Sequence, residues 1–426
     1  MVIIFETIVL VGYMINNYIG IVLMLLLYAR ERLYHAKKGS LYRVSNLMIL
    51  ALPVAYIGIT GTSMHQILSW YNLFLVFFIG KIVHYYSCKI PFKKYDLQAM
   101  IVVLCCLFVN LFWSTDLISS LVEIAQILIM IIPIMIIHSA RNTPLFTRDD
   151  TYLLLYRYAD ICVATALAMI IQYFSYYYLH REIGVIHHTG ANRVQFYVLF
   201  RGASILPIYL GTGELFFLIE CFEKKFTLEK LIKIVIIFFA TMLNTSRTGL
   251  FSVSILVGLV CIKYLVMRPS FKGVFLTIIG VIGAYYAVNY ITRLRNGLSG
   301  FLDANGRFQT WRNGIRIWSD NIKSILFGEG FAGDKWIGIA KPHNFIIQTL
   351  AQCGFIVTLI IVILLAKYIK DNWRSPYIFL ILSVILSGML VTDFYANAFT
   401  TVIFILVDMY TTSEHSIECS SIVAEG

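Results

Sequence analysis

The sequence predicts an all-α polytopic membrane protein with about 12–14 transmembrane helices and two longer periplasmic loops, the second containing an amphipathic helix. Three observations lead there. Hydrophobic residues fill 59% of the 426 positions and charged residues only 13%, with a mean hydropathy of +0.79, well above a soluble globular composition. Apolar runs long enough to cross a hydrocarbon core of about 30 Å recur from end to end. The gaps between them alternate between basic and nearly cation-free, as the positive-inside rule requires of a multi-span chain. No composition shift marks off a soluble domain, so 1–426 reads as a single integral membrane domain.

About thirteen apolar segments follow one another, centred near Leu23, Leu52, Phe77, Leu104, Leu128, Thr165, Leu210, Ile237, Leu256, Ile279, Val357, Val384 and Phe404. The first, Val2 to Tyr28, is too long for a signal-peptide core, lacks a small-residue cleavage site and precedes its basic cluster. It is expected to remain as one uncleaved helix. Lys and Arg number five in Arg30 to Arg43, three in Lys89 to Lys94, two in Arg141 to Arg148, four in Lys224 to Lys233, two in Arg268 to Lys272 and three in Lys367 to Arg374. These gaps read as cytoplasmic. The opposite gaps, Gly61 to Gln66, Trp113 to Asp116 and Thr392 to Tyr395, hold no Lys or Arg. On this count the N-terminus faces outward and the tail from Thr411 to Gly426 inward.

The net charge of +11 therefore has a topological reading, and nucleic acid is not an expected partner. The eight cysteines, at 88, 105, 106, 162, 221, 261, 353 and 419, form no CxxC pair and give no case for zinc or a disulfide framework. Internal repeats and the paired broken helices of secondary transporters are not evident.

Cations on the outward side run against the topological bias and need another reason. The first long loop, 180–201, carries His187, His188, Arg193 and, at the membrane boundary, Arg201, followed by Gly202. Arg201 can reach phosphate level there, whether to hold a substrate or to anchor on lipid head groups. Adjacent histidines point different ways on most backbones, which argues against metal ligation. The second element is the turn Asn244-Thr245-Ser246-Arg247-Thr248-Gly249, where Arg247 has no carboxylate nearby in sequence. It must find an anion elsewhere or lie in water.

The third element is the loop 292–344. Phe308, Trp311, Ile315, Trp318 and Ile322 recur at helical spacing, with Arg312, Arg316 and Lys323 on a second face. This predicts an interfacial amphipathic helix with Asp303 or Asn305 as N-cap. Gly328-Glu329-Gly330 permits a tight turn against a ligand or another backbone. His343-Asn344 then sits at the outer start of the next membrane helix, where a histidine can exchange a proton near neutrality. Glu214, in the helix after Arg201, is an intramembrane carboxylate able to pair with an arginine or to position an acceptor; Glu123, Asp160, Glu220, Asp393 and Asp408 are further ones.

Several fixed guanidiniums can hold a pyrophosphate by charge-assisted hydrogen bonds without a metal, and a neutral histidine can take a proton from a sugar hydroxyl. The combination suits glycan transfer from a lipid pyrophosphate outside the cytoplasmic membrane.

At these residues the chain resembles the O-antigen ligase and Wzy-type polysaccharide polymerase superfamily. The matching pieces are Ser246-Arg247-Thr248-Gly249, the Gly306-Arg307 to Trp311 segment, Gly328-Glu329-Gly330, and His343-Asn344 followed by Gly354. They cover roughly Arg201 to Gly354; the first half of the chain carries no such motif. The resemblance implies a metal-independent inverting glycosyltransferase without cofactor, in a bacterial inner membrane with its site facing the periplasm. The undecaprenyl-pyrophosphate-linked oligosaccharide would be both donor and acceptor, and a chain-length regulator is a candidate partner. Catalytic roles carry over to His343, Arg247, Arg201 and Arg307, and substrate contacts to Asn344, Arg193, Arg312, Arg316 and Glu214. Ligases usually have Gly, Thr or Tyr three residues after the glycine of the His-Asn motif; Val357 stands there instead. That departure, and the absence of a longer outer domain, favours the polymerase over a ligase acting on lipid A core. A lipid-linked oligosaccharide flippase is the alternative of another class.

Overall fold

The computed structural model describes residues 2–59, 68–86, 94–140, 145–188, 194–202, 204–267, 270–293, 306–391 and 397–424. Arg193, Asp303, Asn305 and Asp393 lie outside the described residues, as does the side chain of Arg247. The described residues are mostly helical, and the strands among them form one two-stranded hairpin. Among the described residues, six helices are long and apolar enough to cross a membrane: Lys94–Trp113, Leu117–Ser139, Arg148–Leu179, Ile205–Glu223, Gly273–Tyr290 and Phe345–Asn372.

Polar residues at the segment boundaries start these helices. Asp116 accepts from the Ser119 amide, Thr227 from Lys230 and Asn344 from Ile346 and Ile347, each satisfying donors that a helix start leaves unpaired.

Two compact units form. The first comprises Met1–Tyr85, Arg148–Asp303 and Leu382–Val384; the second comprises Tyr86–Thr147, Ala304–Ile381 and Ile385–Gly426.

The first unit is built on α7 (Arg148–Leu179), which packs against α1 (Val2–Ile15), α3 (Ser40–Leu50), α8 (Ile205–Glu223), α9 (Leu228–Leu243) and strand β2 (Val194–Val198). The expected single helix from Val2 to Tyr28 is corrected here. Asn16 is extended (φ −159°, ψ 130°) and its side chain accepts from the Tyr18 amide at 2.8 Å, so α1 ends and α2 (Asn17–Tyr34) begins. The two fold back on one another, with glycine at the crossing. A Cβ on Gly12 would lie 2.6 Å from Leu23 Cδ1, and one on Gly20 would lie 2.2 Å from Tyr13 Cγ. The Arg30 guanidinium sits 4.7 Å over the Phe5 ring, so α1 begins at the basic end of α2. The segment centred on Leu52 changes as well: α3 stops at Leu50 and a 3-10 turn, Leu52–Val54, carries Pro53, which has no amide to continue a helix.

Several carboxylates at the basic end are paired. Asp160 meets Lys233 at 2.8 Å, Glu220 meets Lys230 at 3.4 Å, and Glu31 meets Arg30 at 2.9 Å and Arg157 at 3.4 Å. This gives Asp160 and Glu220 an ion-pair role.

In the second unit the Phe345–Asn372 helix is central, packing against Lys94–Val109, Arg307–Trp318, Ile322–Phe327 and Ala398–Ala424, the last also packing on Leu117–Ser139. Here Glu123 pairs with Lys341, and Asp408 lies 3.2 Å from His138 Nδ1.

Candidate functional site

In the first unit, the loop 180–201 is an antiparallel hairpin, β1 (Val185–His188) with β2, a feature the sequence reading missed. His187 and His188 occupy successive strand positions, so their side chains leave on opposite faces. Gln172, fully buried on α7, fastens the base of the hairpin. Its Nε2 donates to the Ile183 carbonyl at 2.7 Å and the Val185 carbonyl at 3.1 Å, and its Oε1 accepts from the Val198 amide at 2.9 Å. Gln172→Leu strands these groups, and a buried unpaired group costs about 1–3 kcal/mol. The expected result is lower stability, with hydrogen exchange accelerating first at 194–198; unchanged protection there would show that Gln172 does not hold the hairpin.

The hairpin carries Arg201 toward the turn that carries Arg247. Asn244 Nδ2 donates to the Phe196 carbonyl at 2.6 Å, and Ser246 Oγ donates to Ser204 Oγ at 3.4 Å. The turn before Arg247 is thus tied to the segments on either side of Arg201, although far apart in sequence. Both segments are strained. Val198 (φ 56°) and Thr245 (φ 60°) are β-branched residues in the left-handed region, a conformation that costs about 1–3 kcal/mol each and clusters at functional sites. Thr245 Oγ1 and Asn244 Oδ1 are buried there without hydrogen-bond partners among the described residues.

Beside Arg201 lies an open pocket of about 790 Å³, bounded by the Asn16 break, by Tyr56 and Ile57, and by both ends of the hairpin. The Gly184 amide donates to the Met14 carbonyl at 2.8 Å, which closes the end of α1 against the hairpin. Glu214 is deeper in α8. It is 5% exposed, and Oε2 is buried without a hydrogen-bond partner among the described residues. The expected ion pair with an arginine is absent among the described residues.

In the second unit, the loop 292–344 contains a helix at the predicted place, Arg307–Trp318, but with a different cap. The N-cap is Gly306, left-handed at φ 72° and without a side-chain hydrogen bond, in place of Asp303 or Asn305. Gly314 and Ile317 face inward: a Cβ on Gly314 would lie 2.5 Å from Pro342 Cγ and 2.8 Å from Ile347 Cγ2. Arg307 is half-buried, two turns before Gly314 on that side, whereas Arg312 and Arg316 are exposed with Phe308 and Ile315. The two kinds of arginine therefore face different surroundings, which the sequence pattern could not show.

His343 is held from both sides. Pro342 before it packs on Gly314, its own carbonyl accepts from Trp311 Nε1 at 3.2 Å, and Asn344 after it caps the central helix. The Asn344 Oδ1 accepts from the Ile346 and Ile347 amides at 3.0 and 3.1 Å, and the residue is 5% exposed. These contacts fix the start of the central helix directly after His343.

Gly328-Glu329-Gly330 meets another backbone. The central helix breaks at Gly354 (φ 77°, ψ −179°), and the freed Ala351 and Gln352 carbonyls accept from the Glu329 amide at 2.9 Å and the Gly330 amide at 3.0 Å. Asn110 Nδ2 also donates to the Gln352 carbonyl at 3.2 Å. Glu329 itself is nearly enclosed, bonded by the Ser324 hydroxyl, by Lys335 at 2.9 Å and by Lys323 at 3.3 Å. Burial alone would push its carboxyl up. The Ser324 hydrogen bond and the two ammonium groups outweigh this and hold it below the usual carboxylate range. A lowered value stabilises the folded state above the ordinary carboxylate range, and that contribution disappears as pH falls through the lowered value. Melting temperature should thus fall on acidification, with a shallower fall in Glu329→Gln; identical slopes would exclude Glu329 as a contributor.

No protein-family model matches the chain, and no curated protein matches it in sequence.

Proposed function

We propose that the protein is a polysaccharide polymerase of the O-antigen type, a metal-independent inverting glycosyltransferase with about 12–14 transmembrane helices in a bacterial inner membrane. Its site faces the periplasm. In this reading Arg201, Arg247 and Arg307 bind the pyrophosphate of the undecaprenyl-linked donor, and His343 takes the proton of an acceptor hydroxyl on another lipid-linked unit. The bond from the sugar carbon to the phosphate oxygen breaks, a glycosidic bond forms with inversion, and undecaprenyl pyrophosphate leaves.

The observation that carries this reading is the pair of strained turns bearing Arg201 and Arg247, joined by hydrogen bonds beside an open pocket. Strain of this kind persists where function needs a fixed backbone. The fixing of the His343 backbone through Pro342, Trp311 and Asn344 adds support, since a general base must be held within hydrogen-bond reach of its proton. Arg307, on the side of its helix that faces inward, fits a substrate role better than exposed Arg312 and Arg316, whose replacement singly by alanine is expected to leave a partial defect.

Purified protein should extend synthetic lipid-linked repeat units. Deleting its gene should leave lipopolysaccharide capped with a single repeat. Bare core with accumulated lipid-linked polymer would identify a ligase, and a wild-type ladder would exclude both enzymes. Failure to extend repeats combined with their movement across vesicles would identify a flippase.

A further inference from the structure

The pocket beside Arg201 has a lining that points to one class of ligand. Tyr13, Asn16, Asn17, Tyr56, Phe200 and Arg201 line it together with Ile57 and aliphatic residues from the end of the first helix and from the hairpin, and all belong to the first unit. Its volume of about 790 Å³ is within the range of roughly 300–1,000 Å³ typical of small-molecule sites and far more than one phosphate group fills. Two side-chain amides offer paired donors and acceptors, two phenols offer either, and the guanidinium offers several donors in one plane. Phenol and benzyl rings supply flat apolar faces between them.

The cavity of about 100 Å³ in the second unit shows the contrast, with a lining of mostly Ile, Leu, Met, Val and Phe side chains. The first unit's pocket mixes hydrogen-bonding groups with aromatic faces, the combination that matches the alternating hydroxyls and C–H faces of a sugar.

Its shape also depends on a feature without other explanation. Asn16 and Asn17 interrupt an apolar run that would otherwise continue as one helix. The interruption is rigid, since Asn16 caps α2 and the Gly184 amide bonds the Met14 carbonyl. Tyr13 is fixed by Gly20, whose missing Cβ leaves room for the ring, and by Trp70 Nε1, which donates to its hydroxyl oxygen at 3.1 Å.

We infer that this pocket is a carbohydrate subsite that holds the sugar residues attached to the phosphate engaged by Arg201. The assignment to a donor glycan rests on the polymerase reading; the carbohydrate class rests on the lining alone. The α1–α2 hairpin then acts as a specificity element, with Asn17 and Tyr56 contacting hydroxyls away from the reacting carbon.

Calorimetric titration of the full chain in nanodiscs tests this, using the oligosaccharide repeat freed of its lipid by mild acid and, separately, sodium pyrophosphate. The oligosaccharide should bind without pyrophosphate, and Asn17→Ala and Tyr56→Phe should each weaken it about tenfold, the effect of one lost hydrogen bond. In chain-extension assays the same variants should raise KM and leave kcat nearly unchanged. Oligosaccharide binding without chain extension by the wild type would leave the subsite standing and overturn the polymerase reading. Chain extension with wild-type KM in both variants, or binding of pyrophosphate alone, would overturn the subsite and leave the polymerase reading intact.

Discussion

Arg247→Ala is expected to abolish chain extension while leaving expression and membrane insertion intact. Its helix, Arg247–Met267, begins at this residue, and the turn before it is fixed by Asn244 to β2 and by Ser246 to Ser204 beyond it. Alanine is compatible with a first helical position, so the fold has no reason to fail. What disappears is a guanidinium proposed to bind the pyrophosphate as its charge develops during sugar transfer. Removing one such preorganised donor slows catalysis by about a hundredfold or more. Arg247→Lys keeps the charge but not the planar fork, and should recover only part of the rate. Single-turnover rates on lipid-linked repeat units measure both. Full activity in Arg247→Ala would remove the pyrophosphate assignment at this position. His343→Ala should be equally damaging, but its rate should depend less on pH than the wild type's, because the loss is of a proton acceptor.

The helical class and many segment centres were legible in the sequence because each rests on a local property. Twenty apolar residues in a row need no partner to declare themselves, and the spacing of Phe308, Trp311, Ile315 and Trp318 marks a helix wherever it packs. The missed features depend on contacts. Asn16 looks like a minor polar interruption until Gly12 and Gly20 are seen to let two helices close on one another. The hairpin around His187 has few residues and is held by Gln172, a side chain on another element. Within the candidate site, the sequence placed Arg201 and Arg247 on one side, and the structure joins their turns in one unit. It could not separate Arg307 from Arg312 and Arg316, because that choice depends on which face meets Pro342 and Ile347.

Gly354→Ala is expected to have the largest effect on stability. The residue has φ 77° and ψ −179° in the middle of a helix, and an added Cβ would lie 2.3 Å from the Leu326 carbonyl oxygen and 2.4 Å from the Phe327 amide nitrogen. Neither contact is a side-chain tip that can swing away. Backbone strain contributes about 1–3 kcal/mol and overpacking a similar amount, so a loss of roughly 2–6 kcal/mol is expected. Gly328→Ala should behave alike, since its Cβ would meet the Gln352 carbonyl at 2.4 Å. The two replacements disturb one contact, so the double variant should lose much less than the sum. Gly80→Ala is the control: nothing lies within 4 Å of its added Cβ, and alanine favours a helix. The consequence extends beyond stability. Residues 345–353 are held at one end by Asn344 and at the other by the Glu329 and Gly330 amides. Loss of the second attachment frees the segment that orients His343. Gly354→Ala should therefore reduce chain extension even in the fraction that remains folded, with hydrogen exchange at Glu329 and Gly330 rising in parallel. A variant that melts like the wild type, with both amides still protected, would show that the glycine pair is not what holds the kinked helix.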